Sequence, residues 1–300
     1  MNEQDGGPSF LDYAGLGLMA LCFGATFYFN ALVLDWLSPL GSNAARLITA
    51  AAFMVPVSFL AGHGLPGSLR QWLWVSGLGV FGMLLPFLFI FWAQTHIPSN
   101  VVAGIFTSIP LLMLVFSRAF LKVRVTGRKW FGLLVGAVGL LMLAGPGTLS
   151  QIGAETQYAP QLAVFMACVL LAGAAIVMRL IPKAPPVQTL SGALVAAAVV
   201  SVPIVLFEAP EAAPSLMSLF GLIGVGAIST GLGNLLRIFL IQRRGPVFIT
   251  PNAYLATSVA VLLGVVLLGE ALTPVTLIAF AVIFAGIVIA QDGSGNMRRL

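Results

Sequence analysis

The sequence predicts an all-α polytopic membrane protein, with ten transmembrane helices arranged as two inverted five-helix repeats. Three observations carry that prediction. Apolar runs of spanning length recur along the chain, the chain repeats itself at an offset of about 147 residues, and its basic residues gather at alternate span ends.

Only 8% of the 300 residues are charged and 59% are hydrophobic, against about 25% and 45–50% in soluble domains. A water-exposed surface cannot be assembled from that composition. A helical run of about 20 residues rises about 30 Å, the thickness of a bilayer's hydrocarbon core. The runs are continuous rather than alternating, which excludes a membrane β-barrel. The opening MNEQDGGPSF lacks a basic n-region, and the apolar stretch behind it is too long for a signal h-region, so the first run is expected to be a span.

The spans read Tyr13 to Leu34, Leu40 to Ala61, Trp72 to Trp92, Ser99 to Leu121, Trp130 to Ala144, Leu162 to Ile181, Val187 to Phe207, Leu216 to Ile241, Val247 to Leu268 and Thr273 to Ala290. The linkers GHGLPGS, PKAPP and EAPEAAPS carry turn punctuation, and the longest, Gly145 to Gln161, joins the two halves. Residues 1–147 and 148–300 are thus read as two repeats of one integrated transmembrane domain. PLGSNAARLITAAAFMVP at 39–56 pairs with PVQTLSGALVAAAVVSVP at 186–203, and the same offset carries Gly77 and Gly79 onto Gly224 and Gly226. The clearest difference between the copies is Arg46, whose mate is Ala193.

Arg70, Arg118, Lys122, Arg124, Arg128, Lys129, Arg179, Lys183, Arg243, Arg244, Arg298 and Arg299 all fall on the side where the chain begins. The other side holds Asp35, Glu155, Glu208, Glu211 and Glu270. Lysine and arginine are retained on the cytoplasmic side during insertion, so both termini are expected in the cytoplasm of a multi-pass inner-membrane protein. The pI of 9.7 is then a topology signal, and no nucleic-acid partner is expected. Five spans per copy invert the second copy relative to the first. Inverted repeats are the usual build of secondary transporters, with the substrate near the midplane.

The five-plus-five duplication, the arginine early in span two, and the stretches WAQTHIPSNVVAGIFTSIPLLMLVFSRAFL and YLATSVAVLLGVVLLGEALTPVTLIAFAVIFAGIVI resemble the EamA-type members of the drug/metabolite transporter superfamily. The LGEALT turn is the most family-like element. The first copy departs from it, reading LKVRVTG with Val123 at the glutamate position. The resemblance implies a carrier of small metabolites, often an exporter of amino acids.

Candidate substrate contacts follow from the polar groups inside spans. Arg46 leads, because an arginine near a helix centre costs about 2.5–3.5 kcal/mol on insertion scales. Two readings stand for it. It snorkels to the outer face toward Asp35 or Glu270, or it forks onto a substrate carboxylate or phosphate. Ser42 or Asn43 and Thr49 share its face. Cys22, Thr26 and Asn30 share a face of span one, near Tyr28. Thr107 lies on span four with Asn100, and Tyr254 and Ser258 lie on span nine with Thr250 and Thr257. Thr230, Asn234 and Arg237 form a stripe on span eight. Arg237 also lies within reach of the cytoplasmic face. These groups outline a cavity between spans one, two, four, eight and nine. Phe87, Phe91, Tyr28 and Tyr254 are placed to stack on an aromatic substrate or to pack.

Gly77-Leu-Gly79-Val-Phe-Gly82 matches a dinucleotide fingerprint but lies inside a span with no preceding strand, so its glycines read as packing notches, as do Gly132, Gly136 and Gly139. Cys22 and Cys168 read as small hydrophobes. No histidine or thiol cluster has metal-ligand spacing, so no metal and no cofactor are expected. An intramembrane enzyme acting on lipid or prenyl groups would need clustered Asp, Glu or His at depth, and a non-transporting scaffold would not need polar stripes. The expected partners are a small-molecule substrate and the lipid bilayer, with the chain a monomer or weak dimer.

Overall fold

The computed structural model describes residues 8–94, 96–97, 99–123, 125–144, 158–182, 184–207, 213–268 and 274–290. Glu155, Glu208, Glu211, Glu270, Arg124, Lys183 and both chain ends therefore lie outside the described residues. The described residues are helical almost throughout and contain no β-strand. The helices are α1 (Phe10–Leu34), α2 (Pro39–Leu60), α3 (Leu69–Gly79, Val80–Leu84 and Leu85–Gln94 in one rod), α4 (Ser99–Phe106 and Ser108–Leu121), α5 (Gly127–Ala144), α6 (Tyr158–Leu180), α7 (Pro186–Phe207), α8 (Leu216–Ile223, Gly224–Leu232 and Gly233–Arg244 in one rod), α9 (Asn252–Leu268) and α10 (Pro274–Ala290). Six of them, α1, α2, α3, α6, α7 and α8, are long and apolar enough to cross a membrane.

Serine caps start several of these helices. Ser9 and Asp12 form a reciprocal capping box on α1, Ser38 caps α2 ahead of Pro39 at the first helical position, and Ser68 and Ser215 cap α3 and α8. Prolines explain where the expected spans are interrupted. Span four, read as continuous, breaks at Thr107 because Pro110 cannot donate to the carbonyl four residues back and its ring crowds that turn. Span nine was expected from Val247, but its helix begins at Asn252. Between Pro246 and Pro251 the backbone forms turns instead, with Phe248 donating to Gly245 and Thr250 to Val247.

Two π-helical stretches stand at matching positions. In α3 the Leu85 N–H reaches back five residues to Val80, one residue before Pro86. In α8 the Gly233 N–H reaches Ile228, and the Thr230 hydroxyl enters the ladder by donating to the Val225 carbonyl at 2.7 Å. Proline in one case, and glycines with an inserted hydroxyl in the other, widen the turn and leave carbonyls outside the ordinary ladder.

Each half uses its neighbours alike. α2 packs on α7 and α5 on α10. Across the halves, α1 with α9 corresponds to α6 with α4, α2 with α8 to α7 with α3, and α1 with α8 to α6 with α3. Lipid tails are as apolar as leucine, so close approach through small residues supplies the packing energy. Ala44, Ala50, Ala193 and Ala197 are wholly buried between α2 and α7, where Ser191 Oγ donates to the Met54 carbonyl at 2.8 Å. Gly79 lies against the Ala193 backbone, and Gly132 and Gly136 of α5 meet Gly286 of α10 backbone to backbone.

Candidate functional site

Arg46 lies seven residues into α2, roughly 10 Å from its start. It does not reach for the outer face. The side chain is 5% exposed. Its Nε donates to Asn43 Oδ1 at 2.8 Å, its Nη2 donates to the Met83 carbonyl at 3.3 Å, and its Nη1 stands 3.5 Å from Thr230 Oγ1, at the limit of a hydrogen bond. The guanidinium also lies over Phe87, with Cζ 3.9 Å from the ring centroid. The two π stretches make this possible. Met83 lies in the widened turn of α3, which turns its carbonyl toward α2, and Thr230 lies in the widened turn of α8.

All of these partners are neutral. A guanidinium taken from water loses several kcal/mol of solvation. A desolvated cation–π contact returns about 2 kcal/mol, and three hydrogen bonds to neutral acceptors offset more, but no described carboxylate balances the charge. Beside it, Asn43 Nδ2 is buried without an acceptor among the described residues. A planar cation and an unused amide donor side by side are suited to two oxygens of one anion.

The structure brings together part of the candidate set. Arg46, Asn43 and Thr230 form one cluster, and Asn234 joins it by donating from Nδ2 to the Thr230 carbonyl at 2.9 Å. Asn30 accepts from Ser42 Oγ at 2.7 Å, tying α1 to the turn of α2 that precedes Arg46. Tyr28 is half-buried, its ring tilted against Phe29 at 5.8 Å. Arg237 donates from Nη2 to the Leu171 carbonyl of α6 at 3.1 Å. Thr107 marks the break in α4 and is half-buried. Tyr254 is wholly buried, and its hydroxyl donates to the Leu133 carbonyl of α5 at 2.7 Å, while Ser258 donates back to the Tyr254 carbonyl at 3.0 Å. Those two hydroxyls are engaged by backbone, away from the Arg46 partners.

Sequence reasoning missed α3 as a wall of this site. Its polar contribution is a main-chain carbonyl, which no side-chain pattern marks. The available signal was Pro86, three residues after Met83, which disturbs the helical ladder at that turn.

Comparison with known proteins agrees with this architecture. The model of the EamA-like transporter family matches residues 13–145 and again 159–290, once in each half. The inner membrane transporter YedA of Escherichia coli is 27% identical over 287 residues, covering 94% of this chain and 90% of that protein. Protein PecM of Dickeya dadantii is 25% identical over 285 residues, covering 92% and 91%. A transporter of Archaeoglobus fulgidus is 26% identical over 286 residues, covering 91% and 96%. A crystal structure superposes with a TM-score of 0.76 over 92% of this chain and 94% of its own, at 20% identity, which bears on the fold alone. With both halves matched, the chain is a membrane protein that belongs to the EamA-like transporter family.

Proposed function

We propose that the protein is a secondary carrier that exports small metabolites such as amino acids across the inner membrane, by alternating access around a site between two inverted five-helix repeats. The observation that carries this reading is Arg46, a buried cation whose partners among the described residues are all neutral, held at once by α3 of the first half and α8 of the second. A substrate carboxylate or phosphate supplies the missing counter-charge, and Asn43 Nδ2 supplies a further donor. The matching neighbours of each helix in the two halves and the separate family match to each half support the duplication. The basic bias supports cytoplasmic termini. Because Arg46 touches both halves, binding of an anion there acts on their mutual contact, which is what alternating access requires of a central site. Counterflow in proteoliposomes tests the reading. Uptake of a radiolabelled carboxylate against a preloaded unlabelled pool supports a carrier, and its absence across a panel of amino acids and organic acids contradicts one.

A further inference from the structure

A cleft of about 840 Å³ opens between α3, α4 and α6, within the range of roughly 300–1,000 Å³ typical of ligand sites. It is lined by Trp74, Gly77, Phe81, Phe116 and Phe120, with Arg70 as its charged residue. It faces outward from the bundle, since Phe81 is 56% and Phe120 65% exposed. Arg70 begins α3 where α4 and α6 end, so the cleft opens at the membrane face that carries Arg118, Lys122 and Arg179.

The position 147 residues on shows what such a crevice takes. There, between α8 and α1, Phe29 lies against Gly224 so closely that a methyl on the glycine would stand 2.5 Å from its ring. Phe29 also packs edge-on to Phe220 with centroids 5.7 Å apart, and its backbone and Leu32 close over Gly221. The chain fills that crevice with its own side chain. In the crevice between α3 and α6 the mate of Phe29 is Ile176 and the mate of Gly224 is Gly77, which has nothing within 4 Å of where a methyl would stand. One crevice is stoppered from within, and the other is left to an apolar group from outside.

We infer that this cleft binds an acyl chain of an anionic phospholipid from the leaflet bordering the basic helix ends, with the lipid phosphate held by Arg70. The aromatic walls accept the chain by burial, and the arginine at the mouth matches the phosphate in charge. The inference does not depend on what the carrier moves.

The test is native mass spectrometry of the intact chain in detergent, titrated in parallel with phosphatidylglycerol and phosphatidylcholine. Phosphatidylglycerol is expected to be retained preferentially. Arg70→Gln should lower its apparent affinity about fivefold, and Arg70→Lys should restore most of it. Gly77→Trp, placed where there is open space, should displace both lipids. Equal retention of the two lipids by the parent protein, or unchanged phosphatidylglycerol binding in a monodisperse Gly77→Trp or Arg70→Gln variant, would overturn the assignment.

Discussion

Met83 and Thr230 stand 147 residues apart and meet the same guanidinium, the first through its carbonyl and the second through its hydroxyl. Each lies in a π-helical turn, and Arg46 spans the gap between those turns. The mate of Arg46, Ala193, meets Gly79 by backbone instead. Arg46 therefore stands between matching walls with no matching charge in the other copy.

The Thr230 hydroxyl donates to Val225 and faces Arg46, so removing it acts on the local ladder and on the guanidinium together. Thr230→Val keeps the shape and loses both contacts, at an expected cost of about 1 kcal/mol, with Thr230→Ser close to the parent. Thermal unfolding in detergent checks this. Equal stability of all three would mean that the hydroxyl orders nothing.

Tyr254 was a candidate substrate contact on its residue type, yet its hydroxyl is held by Leu133 and Gly136 lies against its ring. Tyr254→Phe should lower stability by about 0.6 kcal/mol, the mean for an interhelical hydrogen bond in a membrane, and leave substrate affinity unchanged. A selective loss of affinity would return Tyr254 to the binding site.

What the sequence showed well were features written in side chains: the apolar runs, the small-residue faces and the lone arginine. What it concealed were features written in main chain. Nothing in VFGML announces that the Met83 carbonyl turns toward α2, and nothing in YLATSV announces that the tyrosine hydroxyl serves a carbonyl on α5. The break at Thr107 and the late start of α9 were readable in Pro110, Pro246 and Pro251, because a missing N–H leaves a local mark whatever the tertiary setting. Asn43 was readable as a neighbour of Arg46 on one helical face, but Met83 and Thr230 were not, since they come from two other helices, α3 and α8.

Asp12 is almost wholly buried at the start of α1, 2.7 Å from Arg244 and 3.1 Å from Arg243 at the end of α8. Arg243 is more exposed, and its pair contributes little, but the pair with Arg244 is largely buried. Asp12→Asn should cost about 1 kcal/mol because it removes the carboxylate charge that Arg244 meets at 2.7 Å, and it should leave any pH-driven accumulation intact, because a pinning ion pair is not a proton relay. Loss of pH-driven accumulation with exchange preserved would make Asp12 a coupling group.

The basic bias predicts that Gly67, between α2 and α3, faces the cytoplasm and that Asp35, between α1 and α2, faces outward. Single cysteines at these sites, in a background lacking Cys22 and Cys168, should react differently with an impermeant maleimide on intact cells. Asp35→Cys should label and Gly67→Cys should not. The reverse pattern would invert the topology.

Substrate affinity of Arg46 variants tests the central claim most directly, read by counterflow on preparations shown to be monodisperse in detergent. Arg46→Lys keeps the charge and loses the planar fork, so it should bind more weakly. Arg46→Met should lower affinity roughly tenfold to a hundredfold, the scale of a hydrogen bond to a charged group, while matching the parent in thermal stability, because it removes a buried charge that has no counter-ion among the described residues. Affinity unchanged in Arg46→Met would contradict the account, and the guanidinium would then serve only to hold α3 and α8 against α2.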